Sequence, residues 1–309
     1  MKKLESDLSL NNSTHMPALG LGVFQSPPKE TAEAVEAALR AGYRLIDTAA
    51  AYMNEKQVGE GIKRSGVNRD EIFVVTKLWI SDYGSEQAKV AFDASLRRLG
   101  TDYVNLYLMH QPMPNEFART IAAYRSMEGF LKEGRAKAIG VSNFSPAHLE
   151  KLMTETSVVP AVNQVELHPF FVQKELTAFH KKLGIITQSW SPIGGIHRYR
   201  PSDPSAVLDA LSHPVTLALA DKYKKTPAQV VLRWQIDHGY CAIPKSVHEG
   251  RIKENFGVFN FKLTAEEIAD IDQLDNGVRG GPNPEAIDTK TFTFAINNSP
   301  EADSAARQY

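Results

Sequence analysis

Strand-like and helix-like segments alternate along almost the whole of this chain. That alternation limits the fold more than any other property. A short, glycine-rich apolar run, Ala18-Leu-Gly-Leu-Gly22, comes first. Thr31 to Arg40 then sets Ala34, Val35, Ala38 and Leu39 on one helical face, and Gly42 ends the helix. The pattern predicts strand Tyr43–Asp47, helix Glu55–Arg64 and strand Ile72–Lys77. Helix Glu86–Leu99 stops at Gly100, and strand Tyr103–Met109 follows it. Helix Glu116–Lys132 stops at Gly134, before strand Ala136–Val141. Ser145-Pro146 reads as an N-cap with proline at the first helical position. Strand Ala161–Val165, helix Lys174–Lys182, strand Ile185–Trp190, a long loop, helices within Pro214–His238 and strand Cys241–Pro244 complete the series.

Strands separated by helices imply a parallel sheet, because only a crossover connection returns the chain to the same end of the sheet. The repeat is about 30 residues, the size of one βα unit with its loops. Eight such units close into an α/β (β/α)8 TIM barrel of about 250 residues. The barrel is placed at about 17–276 within a single domain spanning 1–309. Leu4–Met16, with Asn11-Asn12 at its middle, reads as a β-hairpin ahead of it. Thr264-Ala-Glu-Glu267 is a capping box opening a further helix, with Ile268, Ile271 and Leu274 on one face and Gly277 beyond its end. The C-terminal tail, 277–309, is expected to cross the barrel mouth and fray at its end. A doubly wound open sheet is the alternative, but Gly20-Leu-Gly22 lacks the third glycine of that fold's phosphate turn.

Composition excludes other classes. The apolar share of 42% is that of a globular protein, and no apolar run approaches bilayer length. A net charge of −1 provides no global field for nucleic acid or an anionic membrane. The N-terminus has no apolar signal region, and the lone Cys241 excludes an intrachain disulfide. The expectation is a cytoplasmic monomer acting on a small molecule, with no nucleic-acid or membrane partner.

Asp47, Lys77 and His110 each stand at or just past the C-terminal end of an apolar strand, where parallel α/β folds deliver functional groups; Tyr52 follows Asp47 into the loop. Singly, each has an ordinary structural reading: a helix cap, a snorkelling strand end, a loop aromatic, a satisfied core histidine. Ionisable groups at three equivalent strand ends are better explained by mutual pairing, since buried charges are costly alone. A tyrosine, with a reference pKa of about 10, needs help to give up its proton near neutrality. An adjacent ammonium favours the phenolate and lowers that pKa, a carboxylate keeps the ammonium charged, and a neutral imidazole can hydrogen-bond and place a carbonyl oxygen. Such a site suits protonation of an oxyanion that forms as hydride reaches a carbonyl carbon. No side chain supplies hydride, so a nicotinamide cofactor is implied.

At these residues the sequence resembles the aldo-keto reductase superfamily, over about Leu8 to Asn276. Gly42-Tyr-Arg-Leu-Ile-Asp-Thr-Ala49, with Glu55 and Gly59 downstream, looks like the family's first signature. The resemblance implies that Tyr52 is the general acid, that Lys77 and Asp47 tune it and that His110 orients the carbonyl. Met53 departs from the glycine usual after the tyrosine. Gly140-Val-Ser-Asn-Phe144 and Asn163-Gln-Val-Glu-Leu-His-Pro169 are similar to the segments whose Ser142, Asn143 and Gln164 hold the nicotinamide carboxamide. Ser189-Trp-Ser-Pro-Ile-Gly194 puts Trp190 where the family stacks an aromatic ring on the nicotinamide, with Ser191 beside it; tryptophan there resembles the microbial 2,5-diketogluconate-reductase type.

Ile243-Pro-Lys-Ser-Val247, then Arg251, Glu254 and Asn255, resembles the adenosine-phosphate clamp, so Lys245, Ser246, Val247, Arg251, Glu254 and Asn255 are implied in cofactor binding. Arg251 offers a planar fork and Lys245 a point charge to a ribose 2′-phosphate, which favours NADPH (NADP) over NADH. His248 and Gly250 depart from the commonest pattern in this clamp, which leaves NADH as the disfavoured alternative cofactor. The implied activity is NADPH-dependent reduction of aldehydes or ketones to alcohols. A cofactor-binding regulatory or structural protein on the same fold is the alternative, and the complete tetrad argues against it. A metal-dependent barrel hydrolase is disfavoured because His110, His168 and His180 lack ligand spacing. Substrate walls are expected from Phe24, Trp79 and Phe117, and from the loop Gly195–Ala206; Phe292 and Phe294 of the tail are candidates for a second wall.

Overall fold

The computed structural model describes residues 7–196 and 209–300. The predicted loop at 195–206 falls almost wholly outside them, as does the tail beyond 300. Strands β1 (Asp7–Ser9) and β2 (His15–Pro17) form the expected antiparallel hairpin, with Leu8 opposite Met16. Eight parallel strands follow: β3 (Leu21–Gly22), β4 (Leu45–Asp47), β5 (Phe73–Leu78), β6 (Leu106–Met109), β7 (Ile139–Ser142), β8 (Val162–Glu166), β9 (Ile186–Trp190) and β10 (Cys241–Ala242). They pair in sequence order, and bridges from Leu19 to Ala242 and from Gly22 to Lys245 join the first strand to the last. This is the (β/α)8 fold expected from the alternation.

The helices are α1 (Pro28–Ala41), α2 (Glu55–Ser65), α3 (Ser85–Leu99), α4 (Phe117–Lys132), α5 (Pro146–Glu155), α6 (Lys174–Leu183), α7 (Pro214–Tyr223), α8 (Pro227–Asp237), α9 (Glu249–Phe256) and α10 (Ala265–Asp272). Ser145 caps α5 and Thr264 caps α10, both through capping boxes. Thr226 makes a third with Gln229 at the start of α8. The strand expected at Tyr103–Met109 begins only at Leu106. Arg69 explains the difference: its guanidinium donates to the Tyr103 carbonyl at 2.8 Å and to Asn105 Oδ1 at 3.0 Å, and lies over the Tyr103 ring.

Two cores follow from the period of two along each strand. Residues such as Ile46, Val74, Tyr107 and Val141 face outward and pack under the helices. Leu45, Phe73, Val75, Leu106, Leu108 and Val162 face inward, and Leu10 and Met16 of the hairpin pack with them. The same inward rows then turn polar. Asp47 follows Leu45, Lys77 follows Val75, and Gln164 follows Val162. The barrel is thus apolar in one inner layer and polar in the next, at the C-terminal ends of its strands. Gly140 is required in this row, because a Cβ there would sit 2.4 Å from the Val162 carbonyl oxygen.

Residues 277–300 run back around the barrel mouth as a strap. Gly280 and Gly281 bond Glu166, Glu285 pairs with His148 and Thr289 bonds Glu116. The Phe294 carbonyl then accepts from Trp79 Nε1 at 2.8 Å, and Asn298 meets Arg97 and Arg98. No helix among the described residues is long and apolar enough to cross a membrane.

Candidate active site

Lys77 is fully buried and reaches three oxygens. Its Nζ donates to Asp47 Oδ1 at 2.6 Å, to the Thr48 carbonyl at 2.9 Å and to Tyr52 OH at 3.2 Å. Asp47 Oδ2 also accepts from Gln164 Nε2 at 2.7 Å, and the same nitrogen donates to Gln188 Oε1 at 2.7 Å. Tyr52 rides on a short 3₁₀ turn, Ala50–Tyr52. The buried Asn54 fixes that turn by donating to the Val23 carbonyl at 2.9 Å and accepting from Thr48 Oγ1 at 2.8 Å. The His110 ring stands edge-on to Tyr52 at 5.7 Å and to Trp79 at 5.1 Å. The tetrad expected from the strand ends is therefore assembled.

Its electrostatics divide the roles. Burial opposes the Lys77 charge, but Asp47 and Tyr52 outweigh it, so the ammonium holds its proton more firmly than usual. Burial raises the Asp47 carboxyl, with Lys77 and Gln164 pulling the other way. Burial likewise raises Tyr52, and Lys77 only partly offsets it. The expected lowering of the phenol is corrected here: Lys77 does pull it down, but loss of water dominates and Tyr52 keeps its proton. Burial, and then Lys77, push His110 well below the usual histidine range, so its imidazole is neutral. His110 Nδ1 is buried with no hydrogen-bond partner among the described residues. Buried polar groups are nearly always paired, so this atom is poised for a ligand or a water.

Next to the tetrad lies a second cluster. Ser142 Oγ donates to the Gln164 carbonyl at 2.8 Å. Asn143, at φ +67°, donates to the His110 carbonyl at 3.0 Å and to Ser142 Oγ at 3.1 Å. Trp190 Nε1 donates to Asn143 Oδ1 at 2.9 Å. Ser191 accepts from Ile196 N–H at 2.9 Å. Ser142, Asn143 and Trp190 are thus linked by hydrogen bonds, while Gln164 is engaged by Asp47 and Gln188 and Ser191 by Ile196.

The remaining residues stand as follows. Lys245 and Arg251 are exposed, after β10 and in the first turn of α9, and neither side chain has a partner among the described residues. Ser246 Oγ accepts from His248 N–H at 3.1 Å, with the half-buried Val247 between them. Glu254 accepts from Thr226 Oγ1 at 2.9 Å, which ties α9 to α8, and Asn255 is buried. Phe24 lies 5.0 Å from the Tyr52 ring, and Trp79 lines the other side beside Phe292 and Phe294. Phe117 is not among them; its ring neighbours are Phe144 and His148. A cavity of about 400 Å³ opens beside Asn143, walled by Phe171, Lys174, Arg279 and Glu285, and no member of the tetrad lines it. Sequence reasoning missed Gln188, Asn54 and the binding of the tail by Glu166. For Gln188 and Glu166 a signal exists: each is a polar residue at an inward strand position.

The residues fit a nicotinamide dinucleotide by their chemistry: a half-buried indole, amides beside it, and two exposed cations at the far end with no side-chain partner among the described residues. The chain is similar to known proteins. A family model described as "Aldo/keto reductase family" matches residues 18–276. The morphine 6-dehydrogenase of Pseudomonas putida is 50% identical over 92% of this chain and 96% of its own length. The methylglyoxal reductase DkgA of Escherichia coli K12 is 45% identical over 90% of this chain and 96% of its own. Among solved structures, an aldo/keto reductase from Brucella melitensis has a TM-score of 0.80 and 46% identity, over 87% of this chain and 99% of its own. A mutant of Gox0644 in complex with NADPH has a TM-score of 0.84 and 40% identity, over 93% of this chain and 100% of its own.

Proposed function

Because this chain belongs to the aldo/keto reductase family, we propose that Tyr52 is the proton donor of an NADPH-dependent carbonyl reductase whose reacting oxygen lies between Tyr52 and His110. The reaction class is that of the family: an oxidoreductase interconverting carbonyl and alcohol. The observation that carries the residue assignment is the Lys77 ammonium, buried and shared between Asp47 and Tyr52.

The nicotinamide, when bound, supplies the hydride. The protein's own groups do the rest. His110, neutral and short of a partner at Nδ1, can share a hydrogen bond with the substrate oxygen and place it. Tyr52 donates its proton to that oxygen as negative charge builds there. Lys77 then faces the phenolate, and Asp47 keeps Lys77 charged. Trp79, Phe24 and the strap line the place where this exchange occurs.

Ser142, Asn143, Gln164 and Trp190 form the nicotinamide end of the cofactor site in this reading, and Lys245 and Arg251 the end that takes a 2′-phosphate. Two exposed cations whose side chains have no partner among the described residues favour NADPH over NADH. The substrate is assigned only as a class, because relatives of similar identity are named for morphine and for methylglyoxal. The test is NADPH oxidation against a panel of aldehydes and ketones, with wild type and Tyr52→Phe. Wild type should turn over, and the variant should bind NADPH yet lose about 10²–10⁴-fold in rate. An unchanged rate in Tyr52→Phe would end the assignment.

A further inference from the structure

The Trp190 ring is held at both ends. Its one polar atom donates to Asn143. Its benzo edge meets the strap: a Cβ on Gly281 would lie 2.4 Å from Trp190 Cη2, 3.2 Å from Cζ2 and 2.9 Å from Glu166 Oε2. Only glycine fits there unless the ring or the strap moves. One side chain fixes the strap at this point. Glu166 Oε1 accepts the Gly280 N–H at 2.7 Å, and Oε2 accepts the Gly281 N–H at 2.8 Å. Glu166 is fully buried at the end of β8, directly across from Trp190 in the β8–β9 ladder. Burial works against its charge, but His168 at 3.0 Å and the two glycine amides hold it below the ordinary carboxylate range. A carboxylate is the right group for this task, because it offers acceptors to every donor that converges on it. A glutamine would turn an N–H₂ toward one of them.

We propose that Glu166 is a positioning residue for the cofactor: by clamping Gly280 and Gly281 it seats the strap against Trp190 and fixes the tilt of the indole on which the nicotinamide stacks. The inference rests on the reading of Trp190 as the stacking ring. Aromatic stacking depends on tilt and offset, so a ring free at one edge binds a flat partner less well. The C-terminal strap then acts on two ligands through different residues: on the cofactor through Gly281 and Trp190, and on the substrate pocket through Phe294 and Trp79.

The experiment is fluorescence titration of NADPH into the full chain, with thermal unfolding measured alongside. The variants are Glu166→Gln, Gly281→Ala, Trp190→Ala, Phe294→Ala and the double variant Gly281→Ala/Trp190→Ala. Glu166→Gln and Gly281→Ala should each weaken NADPH by roughly five- to tenfold, the loss of one aromatic stack. Gly281→Ala lies on the strap rather than in the core, so it should still unfold in one cooperative transition, lowered only by the lost strap contacts, which separates positioning from misfolding. In the Trp190→Ala background, Gly281→Ala should add nothing, because the two act through one ring. Phe294→Ala should raise the aldehyde KM and leave the NADPH Kd alone. The proposal fails if Trp190→Ala weakens NADPH but Glu166→Gln and Gly281→Ala do not, or if Gly281→Ala costs as much without Trp190 as with it. An unchanged Kd in Trp190→Ala overturns instead the stacking reading on which it rests.

Discussion

Lys77 depends on Asp47 for its charge in a place without water. Asp47→Asn leaves a buried ammonium without its counter-charge and should cost roughly 3–5 kcal/mol of stability, measured by urea unfolding. Loss of less than about 1 kcal/mol, the scale of an exposed pair, would mean that the pair is solvated. His110 provides a test by pH. Its titration lies well below 6.5, so kcat/KM for reduction should show no inflection near 6.5; one that vanished in His110→Gln would contradict the neutral imidazole. Arg251 tests the cofactor preference. Arg251→Ala removes a charge-assisted hydrogen bond worth about 1.5–3 kcal/mol, so NADPH should weaken tenfold or more while NADH barely changes. Equal losses for both would remove the 2′-phosphate role. At this scale the sequence showed which groups stand at strand ends. It could not show that burial would outweigh Lys77 at Tyr52, because desolvation depends on everything packed around the phenol.

Among the elements, the strands carry the site and the helices hold it in register. The inward rows were readable wherever an apolar run ended in a charge, as at Leu45 to Asp47 and Phe73 to Lys77. They were less readable at β6, where side-chain bonds from Arg69 replace ladder bonds around Tyr103. His180 shows how an element junction hides its chemistry. In the sequence it lacks metal-ligand spacing; in the fold it is fully buried and joins α6 to the sheet through Asn163 at 2.9 Å and Thr187 at 2.8 Å. Burial pushes it down to about 4 from 6.5. Between those values the unfolded chain binds a proton that the folded chain refuses, so stability falls as pH drops through that window. The slope from this one group should not exceed about 1.4 kcal/mol per pH unit. Urea unfolding from pH 7 to pH 4 should show a shallower decline in His180→Gln; an identical decline would assign the acid sensitivity elsewhere.

Across the whole molecule, one strand period and one tail decide the site. The hairpin packs into the apolar inner layer, and the strap crosses the polar mouth. The barrel, the tetrad at its strand ends, the N-cap at Ser145, the capping box at Thr264 and the two cations after β10 were legible in the chain alone. Each of these is written in short-range signals: apolar periodicity, a cap three residues from its partner, a charge where an apolar run stops. It took the folded arrangement to fix which face Phe117 covers, that Glu254 binds Thr226 within the helical layer, and that Gly281 abuts Trp190. Those contacts join residues far apart in the chain. Glu166 and Gly281 are separated by several elements, and no local pattern in either segment specifies the other. Backbone amides of a tail find a buried carboxylate only after the barrel has placed that carboxylate at its rim.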